Sequence, residues 1–378
     1  MARRMTMKMT DRKKQAIAAV DNMADELQAM SSFIHANPEM GGEEYQASGL
    51  LVAAALKQGF RVTRNISGFD TAFVAEKGDS GPRIAFLAEY DALPGLGHAC
   101  GHNLIAAMSF GAAAAFAAAA ESEAVSCLIG CPAEETWGAK VKMSADGVFD
   151  GLTAALVLHP ASTNAMGGTS YASHPLRITF RGRSSHVAAK DDKGVNALDA
   201  LILFYQELKQ LKQSFDRETI LAGIITKGGT APNIIPAEAE ADFTLRALTA
   251  DYLEDSLVPA VRELADDVAR RTGTTVSAVH YEPLYKELIN DARLMALFRE
   301  NMALLGEVVT VLAPGDADGS TDVGNVSHSC PTIHPDIGIG CDAAAHTPEF
   351  AIAAASTEAR QRLLIGAKVM AMTALDLL

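Results

Sequence analysis

The sequence predicts an α/β protein: a metallopeptidase-type catalytic domain with a mostly parallel central sheet, carrying an inserted ferredoxin-like α+β domain. Three observations lead there. A chain of 378 residues is too long for one small core. Short apolar runs alternate with helical patterns over the first 160 residues, the mark of a largely parallel sheet. From about residue 171 the order becomes strand, helix, strand, strand, helix, strand, the split βαβ pattern of a small α+β unit.

The elements follow in chain order. A helical pattern covers about Asp11 to His35, and a second covers about Tyr45 to Gln58, stopped by Gly59. Arg83 to Ala88 (RIAFLA), Val125 to Cys131 (VSCLIGC) and Ala154 to Leu158 read as buried strands. Between the first two lies LIAAMSFGAAAAFAAAA, Leu104 to Ala120. It is slightly short for a membrane span and mostly alanine, which carries little transfer energy, so a buried helix is expected.

In the inserted domain, 171–283, strands are expected at Pro175 to Gly182, Leu221 to Thr226, Glu238 to Ala247 and Thr275 to Tyr281. Helices are expected at Val195 to Phe215 and Ala250 to Thr272. The larger domain is then discontinuous, 1–170 and 284–378, and closes on a long Ala-rich helix from about Pro348.

Composition narrows the function. The chain is 49% hydrophobic and 21% charged, which is ordinary for a folded globular protein. Its formal net charge is -14, and without a Lys/Arg stripe a nucleic-acid partner is not expected. Five cysteines are an odd number, and Met1 to Lys14 is basic with no apolar run behind it. Neither a disulfide framework nor a signal peptide fits, and a cytoplasmic location without a membrane partner is expected.

Each apolar strand runs into polar residues that could do chemistry. The first leads to Glu89, Asp91 and then His98-Ala99-Cys100-Gly101-His102, the second to Pro132-Ala133-Glu134-Glu135, and the third to His159-Pro160. In open α/β sheets the site lies beyond the carboxyl ends of the strands, so three segments converge where a site belongs. Cys100 and His102 can reach a common centre from a glycine-rich loop, and thiolate and imidazole suit zinc and related metals. Adjacent carboxylates repel unless a cation holds them. One can ligate while its neighbour acts as general base on a water acidified by the metal. His346 lies just ahead of the last helical pattern, and His186, Asn233 and Arg246 could bind a substrate carboxylate or an oxyanion.

Taken together these motifs resemble the aminoacylase and carboxypeptidase superfamily of co-catalytic metallopeptidases. Within it they are most similar to the hippurate hydrolase and auxin-conjugate amidohydrolase branch, on the side of aminobenzoyl-glutamate hydrolase and dipeptidase-like amidohydrolases. The segments AEYDALPGLGHACGHNLIA, PAEE, VLHP, SSHVAAK, GGTAPNIIPAEAEADFTLRA, GSTDVGNVSHSCPTIHP and AAHTPEF carry the resemblance in order.

The resemblance implies two divalent metal ions per subunit, zinc foremost, with manganese or cobalt as alternatives. Cys100, His102, Glu135, His159 and His346 would be the ligands, Glu134 the general base and Asp91 the residue that orients the site. The inserted domain would be a lid that makes a homodimer. His186 would reach the partner's active site, and Asn233 and Arg246 would hold the substrate. The implied reaction is metal-dependent hydrolysis of the amide in a small molecule, an N-acyl or N-aroyl amino acid or a dipeptide.

Two positions depart from the pattern. Asn103 stands where hippurate-hydrolase relatives carry Asp, and Glu89 stands where more distant aminoacylases carry His. Two alternatives stay open at this level. One is a hydrolase with Cys100 as nucleophile and His102 or His98 as base. The other is a catalytically silent binding protein of the same fold. No G-x-S-x-G elbow and no G-x-G-x-x-G or phosphate loop is present.

Overall fold

Strands buried on both faces read as unbroken apolar runs, and those runs form the middle of the larger sheet. The computed structural model describes residues 8–190 and 193–378. The basic residues Arg3 and Arg4 of the amino-terminal reading lie outside them. Strands β1 (Arg61–Arg64), β2 (Phe73–Lys77), β3 (Arg83–Ala88), β4 (Val125–Gly130) and β5 (Ala154–Leu156) stand in the order β1-β2-β4-β3-β5, with Thr332–Ile333 beyond β5. From β4 to Thr332–Ile333 all pairings are parallel, while β1 and β2 add an antiparallel edge. That edge was not expected from the sequence: β1 is short, polar and mostly exposed.

The third strand is shorter than expected. It ends at Leu156, and His159 instead opens a separate strand, His159–Ala161, paired in parallel with Asp336–Gly338. Pro160 has no N–H with which to continue the first ladder, so the chain changes sheets there.

Both long helical patterns also divide. Asp11–Asn22 and Ala24–Ala36 break at Met23. The last pattern splits into Pro348–Ala354 and Thr357–Leu375, because Ser356 caps a new helix by accepting from the Ala359 N–H. His102–Ala120 is a helix whose most apolar stretch is 94% buried. It lies among Asp11–Asn22, Ala24–Ala36 and Thr357–Leu375, and its alanines let these helices approach closely.

The chain forms two compact units. The first holds the residues up to Thr169, Leu288–Asp316 and Asp322–Leu378; the second holds Ser170–Glu287 with Ala317–Thr321. The return of 317–321 to the second unit has no sequence signal; there Gly319 O accepts from Tyr171 N at 3.0 Å.

In the second unit β6 (Leu176–Arg181), β7 (Thr219–Lys227), β8 (Glu238–Ala247) and β9 (Thr275–His280) form an antiparallel sheet in the order β7-β8-β6-β9. β8 alternates without a fault: Ala239, Ala241, Phe243, Leu245 and Ala247 are buried in one core with Phe204 and Val261 of the helices Ala197–Lys212 and Val258–Thr272. The other face carries cross-strand ion pairs, Arg177–Asp242 at 2.7 Å and Arg181–Glu238 at 3.0 Å. The helix read from Ala250 widens over Leu253–Leu257 ahead of Pro259, which lacks the N–H for a regular turn.

Candidate active site

The carboxyl ends of β3, β4 and β5 bring the polar segments together within the first unit. β3 leads into Glu89 and Asp91, both buried. After β4 the chain makes a tight turn in which Ala133 adopts φ 58° and its N–H donates to Glu44 Oε1 at 2.7 Å. A left-handed alanine stores strain, here on the residue before the paired carboxylates. Gly101, φ 81°, links Cys100 to the helix that begins at His102. A Cβ there would fall 2.8 Å from Pro160, so only glycine lets this loop meet the segment of His159.

Asp91 fixes two of its neighbours. The His102 Nδ1–H donates to Asp91 Oδ1 at 2.8 Å, and the Glu135 N–H donates to Asp91 Oδ2 at 2.9 Å. Because a carboxylate can only accept, the contact fixes the proton on Nδ1 and turns Nε2 toward the site. There Nε2 is buried without a hydrogen-bond partner, as is Glu135 Oε1. Orphaned buried polar atoms of this kind call for a cation.

The distances fit one. Ligand atoms on a shared tetrahedral ion with bonds of about 2.0–2.3 Å stand roughly 3.3–3.8 Å apart. His102 Nε2 and Glu135 Oε1 are 3.8 Å apart, His346 Nε2 and Glu135 Oε1 3.5 Å, and Cys100 Sγ and His159 Nε2 3.3 Å. Among the described residues three ligand groups interlock: Cys100, His102 and His159; Cys100, Glu135 and His346; His102, Glu134 and Glu135. Cys100, His102 and Glu135 each belong to two of them. His346 is largely exposed at φ 64°, its N–H donating to Ala99 O, so the cluster opens to solvent on its side.

Electrostatics follow from crowded, buried acids. Burial, then Glu89, Asp322 and Glu135, push the Glu134 carboxyl far above the usual range. Burial also pushes the Cys100 thiol up, against the pull of His102. Burial opposes a charged His102, but Asp91 and Cys100 outweigh it and raise its pKa. A cation among these groups would therefore displace protons on binding.

Glu89 faces two ways. Its Oε2 lies 3.7 Å from His102 Nε2, and its Oε1 lies 2.7 Å from Lys140 Nζ. Lys140, fully buried, also meets Asp322 Oδ1 at 2.6 Å, while its backbone N–H donates to Asp322 Oδ2. Burial drives the Glu89 carboxyl up, and Lys140, His102 and His334 together bring it down to about 2. At this position, where the sequence departs from the wider pattern, the chain thus holds a carboxylate clamped by an ammonium.

Neither Lys140 nor Asp322 was singled out in the sequence. Lys140 sits in Ala139–Ala145, an amphipathic-looking helix whose lysines read as surface, and Asp322 is one letter of GSTDVGN. His334 was also missed; its ring centroid is 5.4 Å from that of His159. Asn103 has a structural explanation. Its Nδ2 donates to Ser31 Oγ at 2.9 Å and Ala354 O at 3.2 Å, a pair of bonds an aspartate could not donate.

The remaining residues singled out lie in the second unit. His186 and Asn233 occupy neighbouring loops: His186 bridges Ile234, and Val187 N donates to Asn233 O at 3.1 Å. Arg246 is on β8 with its Nε buried and lacking a hydrogen-bond partner, and its charge lowers a Glu282 carboxyl that burial raises.

Known proteins share this architecture. Residues 172–272 match the M20 peptidase dimerisation domain. The chain is 37% identical to Xaa-Arg dipeptidase of Mus musculus over 386 residues, spanning 97% of this chain and 89% of that protein. It is 33% identical to one of the subunits of p-aminobenzoyl-glutamate hydrolase of Escherichia coli, over 64% of this chain and 54% of that one. A dinuclear metal-binding M20 peptidase from Bacillus subtilis has a similar fold, with TM-score 0.72 at 19% identity, covering 95% of this chain and 99% of that one.

Proposed function

Because the chain belongs to the M20 family of metallopeptidases, we propose that it hydrolyses the amide bond of a dipeptide or N-acyl amino acid at the Cys100–His346 cluster. The observation that carries this reading is the interlocked ligand set, with His102 Nε2 and Glu135 Oε1 left without hydrogen bonds at coordination spacing. Cys100, His102, Glu135, His159 and His346 would hold two divalent ions, of which zinc suits the thiolate and imidazoles best. When bound, such ions supply Lewis acidity toward a carbonyl and lower the pKa of water.

The protein's own residues do the rest. Asp91 keeps His102 in one tautomer and the Glu135 backbone in register. Glu134 takes the proton of the attacking water and returns it to the leaving nitrogen, for which bound cations would have to offset the burial and neighbouring carboxylates that raise its proton affinity. His186, Asn233 and Arg246 are proposed to hold the oxyanion and the substrate carboxylate, and the orphaned Arg246 Nε supports a ligand there. The unit that bears them is proposed to close over the site as a lid and to pair two chains into a homodimer, with His186 serving the partner's site. The likeness to Xaa-Arg dipeptidase supports dipeptides with a basic residue as substrates. A nucleophilic Cys100 is less consistent, because burial stabilises its thiol over the thiolate.

Glu134→Gln tests the assignment. The variant should bind the same amount of metal as the parent, by elemental analysis, and lose about 10²–10⁴ in kcat on a dipeptide. Turnover within a few fold of the parent would remove Glu134 from its role, and full activity after exhaustive chelation would remove the metals from theirs.

A further inference from the structure

Trp137 is the single tryptophan of the chain, and the residue is 57% exposed. It stands two residues beyond Glu135 in the same turn, where the N–H groups of Thr136, Trp137 and Gly138 all point to Ala133 O at 3.4, 3.1 and 2.8 Å. Two residues of chain reach about 7 Å at most, so the indole begins beside the paired carboxylates.

The ring is not loose. A Cβ built on Gly42 would lie 2.5 Å from Trp137 Cζ3 and 2.7 Å from Cη2, so the indole rests on bare glycine backbone. That backbone is tied to the site. Met40 bridges Ala92, and the Ala92 N–H donates to Glu39 O at 2.9 Å, next to Asp91. Glu43, exposed, follows Gly42 directly. A large aromatic braced on one side, open on the other and resting on a glycine that an exposed carboxylate follows in the chain has the character of a cation receptor.

We propose that Trp137 is a specificity-determining residue: its indole, with Glu43, receives an ammonium or guanidinium side chain of the substrate while the amide lies at Glu134. This deepens the amide-hydrolase reading and rests on it for the position of the scissile bond. The receptor reads charge rather than length. Removing the cation while keeping the aliphatic stem therefore weakens binding, and removing the indole abolishes the difference.

The lone tryptophan makes its own assay. Zinc-loaded Glu134→Gln protein is titrated with glycyl-lysine and with glycyl-norleucine, which keeps the stem without the ammonium, following indole fluorescence and calorimetry. Glycyl-lysine should perturb the emission saturably and bind about tenfold tighter, equal to about 1.4 kcal/mol. By calorimetry that ratio should shrink to within about twofold in Trp137→Leu and be kept in part by Trp137→Phe.

Equal affinities for the two ligands, binding of neither, or a ratio untouched in Trp137→Leu would overturn the proposal. Hydrolysis by the Glu134-intact enzyme separates the two readings. If it cleaves both dipeptides without preference, amide hydrolysis stands and the role of Trp137 falls. If it cleaves neither while the binding ratio persists, the receptor stands and the hydrolase reading falls.

Discussion

Asp91 and Glu89, with Tyr90 between them, follow β3 and serve opposite ends of the site. Asp91 faces the ligands, accepting from His102 and from the Glu135 backbone, whereas Glu89 is held from behind by Lys140. Nearby, His98 is almost fully buried, and burial, then His102 and His35, lower its pKa to about 3. Its neutral ring costs nothing above about pH 6.5. Below that the unfolded chain takes up a proton that the folded one refuses until near pH 3, so stability falls across that window. The slope is about 1.4 kcal/mol per pH unit for one such group. His334, lowered to about 4 chiefly by burial, acts in the same sense, and Asp322, raised to about 6, acts against it. In urea titrations of metal-free protein between pH 6 and 4, His98→Gln should flatten the loss of stability by about one proton's slope. An unchanged slope would mean that the His98 ring is protonated in the folded state.

Single residues show where reading from sequence stops. The clustering of the candidate ligands was legible because each follows a strand or opens a loop, and the topology of an α/β sheet brings such ends together. Lys140 and Asp322 were not, because a buried ion pair between segments 182 residues apart leaves no local pattern. Element boundaries failed for another reason. Helices expected as single runs divide at Ser356, where capping competes with periodicity, and at Met23, which makes no side-chain cap and carries no sequence signal for a break. At the scale of elements, Lys140 joins the helix Ala139–Ala145, the end of β3 and Asp322. Lys140→Met should therefore cost about 3–5 kcal/mol in denaturant unfolding, since it leaves two buried carboxylates uncompensated. Adding Asp322→Asn should recover part of that loss, and a pair of changes that simply add would show that the contact contributes little.

The molecule as a whole carries a sheet with an unprotected margin. β7 is at the edge of the second unit's sheet, and Ile224 on it is 67% exposed. Natural proteins seldom leave such an edge to solvent, which supports pairing between two copies. Sedimentation should find about 80 kDa, twice the 39.8 kDa of one chain, and Ile224→Lys should shift the protein toward the monomer. A parent that sediments as a monomer at all concentrations would exclude the homodimer.

The clamp on Glu89 also constrains how this site can change over generations. A histidine at position 89 would leave Lys140 with Asp322 alone of its two carboxylate partners, and losing Lys140 first would strand Glu89 and Asp322. Either step alone passes through a damaged protein. A change at position 89 is therefore expected to be accompanied by one at 140, and a family tree would be expected to show the two positions changing together.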